Sequence, residues 1–264
     1  MSTFPPSLLQ IYTLPDHAKV SDAAWRTYLT EEVLPKAVSS GLGTRAALYE
    51  AYHDFVLATS TPQPADEKTF LVVIHSDMAV PSESVAYKKL FATNSNSKAF
   101  PGRDVKSLAR WEVRNSSLSQ DVDPLGLGDS EYITHYILHT TSARSHLTVM
   151  TQNIEEPPFL LTCEIEPHDD TDYDRFYREE HLGNLLKVPG YRRTARYKLG
   201  PVEGDAKDRI PRFFAAHEWD TLQYMNGPEL LYADHTPWAE RILGNAAFLD
   251  VRGYKFVKGV GYDK

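Results

Sequence analysis

The strongest constraint on this chain is a pattern of apolar periodicity and turn signals that occurs twice, with a period of about 150 residues. The second copy is the clearer. Residues 160–166 alternate, with Leu161, Cys163 and Ile165 on one face and Thr162, Glu164 and Glu166 on the other, which predicts a half-buried strand. Pro167 and His168-Asp169-Asp170 close it. Residues 172–188 read as a helix with acidic residues in its first turn, where they favour the helix dipole, and Pro189-Gly190 ends it. Residues 191–199 form a second alternating strand, 200–210 a solvated loop and 212–219 a third strand. A helical region follows from 221 to about 244, broken near Asn226-Gly227-Pro228 and around Asp234, and 248–257 is the fourth strand. The order is βαββαβ.

The first copy repeats that order. Strands are expected at 8–14, 44–52, 69–77 and 105–115, with helices at 22–38 and 82–92. Pro15 falls on Pro167, Tyr28 on Tyr177, Tyr49 on Tyr197 and Asp77 on Asp220. A period this long is a duplicated domain rather than a solenoid repeat. The chain therefore divides into an N-terminal half, 1–119, a connecting segment, 120–156, and a C-terminal half, 157–264. An apolar run at 132–138 within the connecting segment is placed to add an edge strand.

The βαββαβ unit is the ferredoxin-like motif, with both helices on one face of a four-stranded sheet. The other face is too large and apolar to leave in water. Packing the two bare faces together solves this for both halves. The expected fold class is therefore α+β, tandem ferredoxin-like units forming one intramolecular barrel, with Gln10 and Tyr12 of the first strand between the sheets.

Composition narrows the function. The chain has 264 residues, 42% of them apolar, enough for a sizeable core. Its formal net charge is −8 and it has no Lys/Arg run of the kind that tracks phosphates, so no nucleic-acid partner is expected. Cys163 is the single cysteine, which rules out an intrachain disulfide and a Cys-based zinc cluster and fits a reducing compartment. Residues 1–14 lack the basic-then-apolar order of a signal peptide, and no stretch approaches the ~18 apolar residues of a membrane span. The expectation is a cytoplasmic protein with no membrane partner. The sequon Asn115-Ser116-Ser117 then carries no meaning. No dinucleotide fingerprint or Walker loop is present, and no cofactor or metal is expected. His135 and His139 would share a strand face, and His146 lies nearby, but two ligands do not make a metal site. His168-Asp169-Asp170 reads as a solvated turn.

Two stretches carry a family resemblance. Phe176-Tyr177-Arg178-Glu179-Glu180-His181, followed by Val188-Pro189-Gly190-Tyr191, resembles the EthD-like branch of the dimeric α+β barrel superfamily. Trp219-Asp220-Thr221, through Tyr232-Ala233-Asp234-His235-Thr236-Pro237, is similar to the segment after strand three in plant polyketide cyclases of this fold. In those enzymes a Tyr and a nearby His do the acid–base work. The resemblance covers both halves as architecture and about residues 160–257 as motif. The superfamily includes cyclases, decarboxylases, isomerases and cofactor-free monooxygenases, so fold alone does not choose a reaction. Haem occurs in some of its barrels, whose haem-bearing halves depart from this pattern. The first half has Glu32 where the second has His181 and no histidine in its second helix, and so reads as a degenerate copy.

The resemblance makes His235 the expected general acid or base, Tyr232 its partner three residues earlier and His181 a further polar contact, all three candidate catalytic residues. The bland alternatives are a solvated loop histidine beside a packed tyrosine, and a surface histidine favoured by a helix C-terminus. Tyr177, Tyr197, His217, Trp219 and Trp238 are the expected substrate-binding residues. His217 and Trp219 share a strand face next to Ala215, which suggests a flat cavity or else ordinary core packing. Cys163 reads as a small buried hydrophobe. The resulting expectation is a cofactor-free enzyme of secondary metabolism. It would act on a small aromatic or polyketide-like substrate by proton transfer, in cyclisation, decarboxylation, dehydration or isomerisation, as a monomer or homodimer. A cofactor-free monooxygenase of the same fold and a non-catalytic hydrophobic small-molecule binding or stress-related protein are the alternatives.

Overall fold

The computed structural model describes residues 7–52, 69–90, 97–118, 156–204 and 211–262. The expected edge strand at 132–138, with His135, His139 and His146, lies outside them.

Eight strands close into an antiparallel barrel: β1 (Ser7–Pro15), β2 (Arg45–Ala51), β3 (Phe70–Ser76), β4 (Ala109–Leu118), β5 (Phe159–Glu166), β6 (Tyr191–Gly204), β7 (Phe213–Trp219) and β8 (Phe248–Val260). Around the barrel the order is β1-β3-β2-β8-β5-β7-β6-β4. Residues 7–118 thus contribute the run β4-β1-β3-β2, and residues 159–260 the run β8-β5-β7-β6, the same order in both. The seams are β2 against β8 and β4 against β6, so neither run keeps a free edge.

The helices lie outside the barrel. In the first half, α1 (Asp22–Tyr28) is capped by Ser21, which accepts from the Ala24 amide at 3.3 Å. It runs through a π turn, Leu29–Val33, into α2 (Leu34–Ser39), and α3 (Val85–Leu90) follows β3. In the second half, Asp169 caps α4 (Asp170–Phe176), accepting from the Thr171 and Asp172 amides at 2.8 and 3.0 Å. A π turn, Tyr177–His181, joins α4 to α5 (Leu182–Leu185). The helices α6 (Pro228–Asp234) and α7 (Pro237–Leu243) each carry a proline in the first turn, and Thr236 caps α7. The continuous helices expected at 22–38 and 172–188 are therefore each interrupted by a π turn at the same place. The expected end of strand two at Leu199 is also corrected. β6 runs on to Gly204 because its ladder with β4 closes the barrel.

Three apolar clusters result. One lies under α1–α3 around Trp25, Leu34 and Phe70, and one under α4–α7 around Phe176, Trp219 and Leu230. The third fills the barrel lumen with Tyr12, Tyr49, Tyr197, Phe214 and Tyr254. Gln10 and Tyr12 are buried between the sheets as the alternation requires. The register places like residues in like positions. Tyr12 pairs with Glu112 and Gln10 with Arg114, while Glu164 pairs with Asp250 and Thr162 with Arg252. Both acid-x-Arg steps face the lumen and form ion pairs within themselves.

Candidate active site

A cluster of buried ionisable side chains in the second half lies between the sheet and α4–α6. His217 and Thr194 face the helices from β7 and β6, where they pair, and the Thr194 hydroxyl meets His217 Nδ1 at 2.7 Å and Tyr191 Oη at 2.6 Å. His181, the last residue of the π turn, is 4% exposed and His217 3%. Their ring centroids are 6.4 Å apart, edge to face. Phe176 stacks on His181 at 4.8 Å, and Tyr177 lies 5.0 Å from His181 and 6.2 Å from His217. A π turn widens the helix locally and so lets Tyr177 and His181 both reach inward.

Burial, with Arg196 nearby, pushes His181 down to about 4 against a weak opposing bond to the Ala233 carbonyl. Burial, then His181 and Arg196, takes His217 down to about 3. Both imidazoles are neutral at pH 7. His181 Nδ1 lies 3.4 Å from the Ala233 carbonyl, which can only accept. The proton therefore sits on Nδ1, and Nε2 keeps its lone pair as a potential base.

Arg196 completes the cluster. It is 3% exposed, pairs with Asp174, and lies 4.6 Å from the Tyr177 ring centroid and 5.4 Å from that of Tyr173. Its Nε and Nη1 have no hydrogen-bond partner among the described residues. Buried guanidinium donors without acceptors are costly, so this group is set to receive an anion or a polarised oxygen. Arg196 was absent from the sequence-based candidates, although the alternation of residues 191–199 puts it on the same face as Thr194. A buried face is an unusual place for an arginine.

The other expected residues are distributed differently. Trp219 packs edge-on against Tyr191 at 5.1 Å, at the end of the same layer. Trp238 caps the layer from α7, donating to Asp172 Oδ1 at 3.1 Å, with its ring 6.0 Å from Phe176. Tyr197 is separated from His217, because beyond the bulge between Tyr191 and Arg193 the odd residues Ala195 and Tyr197 of β6 face the lumen while His217 faces the helices. Tyr232 and His235 stand outside the cluster. Tyr232 is 63% exposed on α6, and the His235 side chain, 44% exposed at the helix end, lies 3.6 Å from Glu240. The physical reason is the break before Thr236, which turns the end of α6 toward solvent while Ala233 faces inward.

His181, His217, Trp219, Tyr232 and His235 therefore do not come together around one cavity. A cavity lies instead in the lumen, lined by both halves and including Tyr49 and Tyr197. Burial pushes the Cys163 thiol up to about 12, as suits an inert core cysteine. In the first half Glu32 holds a loop in place. Its Oε1 accepts from Ser97 Oγ at 3.0 Å and from the Ala99 amide at 2.7 Å. Among the described residues no cluster of three or more His, Cys, Asp or Glu could hold a metal ion, and no helix is long and apolar enough to cross a membrane.

No family model and no curated protein sequence matches this chain. Solved structures do. Chlorite dismutase from Candidatus Nitrospira defluvii, in complex with imidazole, aligns over 97% of this chain and 93% of its own, with a TM-score of 0.54 at 9% identity. An anthrone oxidase-like protein aligns over 98% and 95%, with a TM-score of 0.51 at 13% identity. The likeness shows the fold, a dimeric α+β barrel, here made by one chain.

Proposed function

We propose that this protein is a cofactor-independent enzyme that moves a proton on a small aromatic or polyketide-like molecule, and that its two runs of four strands are tandem ferredoxin-like units. The observation that carries this reading is Arg196, a buried cation with two unused donors beside two neutral histidines. His181 Nε2 takes a proton from a carbon acid or phenol. Arg196 holds the oxygen on which negative charge develops, and His217, aligned by Thr194, returns or relays the proton. A histidine with a lowered pKa is a weak base by itself. The developing enolate or phenolate offsets the Arg196 charge and favours the imidazolium, so base and oxyanion holder assist one another. Tyr177, Trp219 and Trp238 supply aromatic walls. The substrate enters by displacing the α6–α7 cover, which is tied down at Trp238 and Arg241 by hydrogen bonds to Asp172.

Cyclisation, dehydration and isomerisation can begin with this step, as can attack of dioxygen on a substrate carbanion; in decarboxylation the loss of CO2 itself leaves the enolate, which Arg196 holds while an imidazolium delivers the proton to carbon. A panel of phenolic polyketides, followed by product analysis and oxygen uptake, tests the reading. Turnover that falls roughly 10²-fold or more in Arg196→Gln supports it. Turnover with stoichiometric oxygen uptake selects the monooxygenase form, and tight binding without turnover would make the barrel a carrier.

A further inference from the structure

At the barrel end where β1 and β5 begin, the lumen holds a chamber that uses none of the residues invoked above. Leu8, Val73, Leu160 and Phe214 make its wall apolar. Its polar groups come from matching places in the two halves: Arg45 and Arg193 near the starts of β2 and β6, and Tyr49 and Tyr197 four residues further along each. Glu156 enters from just before β5. It accepts a hydrogen bond from Tyr49 Oη and lies 3.8 Å from His75 Nε2. Arg193 is committed, donating through Nε to Glu218 at 2.7 Å. Arg45 lies 5.3 Å from the Tyr262 ring centroid and has no carboxylate partner among the described residues. His75 Nδ1 has no hydrogen-bond partner among them either.

Charge and size then choose the ligand. Burial, with Glu218 adding and Tyr49, Arg45 and Arg193 opposing, pushes Glu156 up to about 7. Burial, with Arg45 and Arg193 adding, takes His75 down to about 3, so it is neutral. With Glu156 protonated, the two arginines face a single carboxylate, Glu218, and one positive charge is left over. A dianion would leave a buried negative charge, and a neutral ligand would leave Arg45 without an anion. About 30 Å³ is open to the centres of water molecules. That is room for about two or three waters, or ~60–90 Å³ of liquid, about the size of acetic acid.

We infer that this chamber is a second ligand site, for a small monocarboxylate with a short apolar chain. Its carboxylate meets Arg45 and accepts hydrogen bonds from the Glu156 carboxyl and His75, and its alkyl part lies against Leu8, Val73, Leu160 and Phe214. Binding carries a proton with it, because two carboxylates side by side ionise together only at a cost. The groups facing Glu156 are Arg45 and Tyr49 of β2, His75 of β3, Arg193 and Tyr197 of β6, Glu218 of β7 and Tyr262 beyond β8.

Calorimetry with acetate on the full chain tests this. A Kd on the order of 1 mM is expected at pH 6, as for a good ligand of this size. The affinity should fall about tenfold per pH unit above pH 7, with close to one proton taken up per acetate, read from buffers of different ionisation enthalpy. Arg45→Gln should weaken binding at least tenfold, and Glu156→Gln should bind at pH 6 and lose the pH dependence. Melting temperatures confirm that both variants fold, and the proton uptake needs no variant. The inference is overturned if acetate gives no saturable heat, if acetamide or inorganic phosphate binds as tightly as acetate, or if folded Arg45→Gln binds it unchanged. None of these outcomes bears on Arg196→Gln turnover, so the two sites stand or fall separately.

Discussion

Tyr12 and Glu164, equivalent residues of the two halves, meet inside the barrel, where the Tyr12 hydroxyl donates to Glu164 Oε1 at 2.8 Å. The other carboxylate oxygen lies 2.5 Å from Arg114 Nη1, and the Arg114 guanidinium lies 5.1 Å from the Tyr12 ring centroid. Matching positions of the two four-stranded runs thus make an asymmetric contact. Burial and then Glu164 push the Tyr12 hydroxyl well above its usual range, so it stays a donor. Burial opposes the Arg114 charge, but Glu164, Tyr12 and Glu112 outweigh it. Removing one member of such a pair leaves a buried charge short of its partner. Glu164→Ala should therefore cost about 3–5 kcal/mol, and Tyr12→Phe, which removes one hydrogen bond, about 1 kcal/mol. Urea denaturation measures both. Equal losses would mean that the ion pair contributes nothing beyond the hydroxyl.

The alternation of residues 8–14 puts Gln10 and Tyr12 between the sheets, where they are buried; Glu164, expected on the polar face of a half-buried strand, is buried as well, because that face lines the lumen. Alternation also separates Arg196 from Tyr197. What a single sequence does not carry is register and which face meets which neighbour. Tyr197 was grouped with His217, and only the pairing of β6 with β7 separates them. Glu156 gave no signal either. Its burial comes from barrel closure, and its partner Tyr49 lies 107 residues away. His235 was drawn in by a motif, but the helix break that exposes it is a matter of how α6 and α7 pack. The π turns have no sequence signature beyond the matched tyrosines at 28 and 177.

Catalysis should rank the histidines by burial. His181→Ala should lower turnover roughly 10²–10⁴-fold, the usual cost of a positioned acid–base group. His235→Ala and Tyr232→Phe should leave turnover within about twofold and stability within about 0.5 kcal/mol, as for exposed side chains. Because His181 is pushed down to about 4, kcat/KM should stay level from pH 8 to about 5 and fall only below that. A fall that begins well above pH 5, together with a damaged His235→Ala, would move the base away from His181.

Gly190 is required by its backbone. It sits at φ +84°, and an added Cβ would lie 2.8 Å from Thr221 Cγ2. Its carbonyl accepts from the Asp220 amide at 2.7 Å, which ties the start of β6 to the end of β7. Gly190→Ala combines left-handed strain with a clash and should cost about 2 kcal/mol or more. Gly183 occupies open space at the start of α5. Gly183→Ala should be neutral or stabilising by up to about 1 kcal/mol. Thermal melts of the pair decide whether backbone conformation, rather than glycine content, is what matters.

Acid stability depends on the buried histidines. His181, His217 and His75 are pushed down to about 4, 3 and 3, from 6.5. The unfolded chain therefore binds more protons than the folded one as pH drops below 6.5, and stability falls toward pH 4. Each histidine contributes a slope of about 1.4 kcal/mol per pH unit within that window. Glu156 and Asp234 act oppositely, because burial raises them to about 7 and about 6, from 4.5 and 3.8. Their contribution is present at low pH and is lost as pH rises through those values. Two groups offset two of the three histidines between about pH 4.5 and 6, leaving a net slope near one proton. His217→Gln, which keeps a polar partner for Thr194 and cannot ionise, should cancel that slope. Urea midpoints at half-unit steps of pH measure it. An undiminished slope in the variant would show that His217 already binds its proton in the folded state.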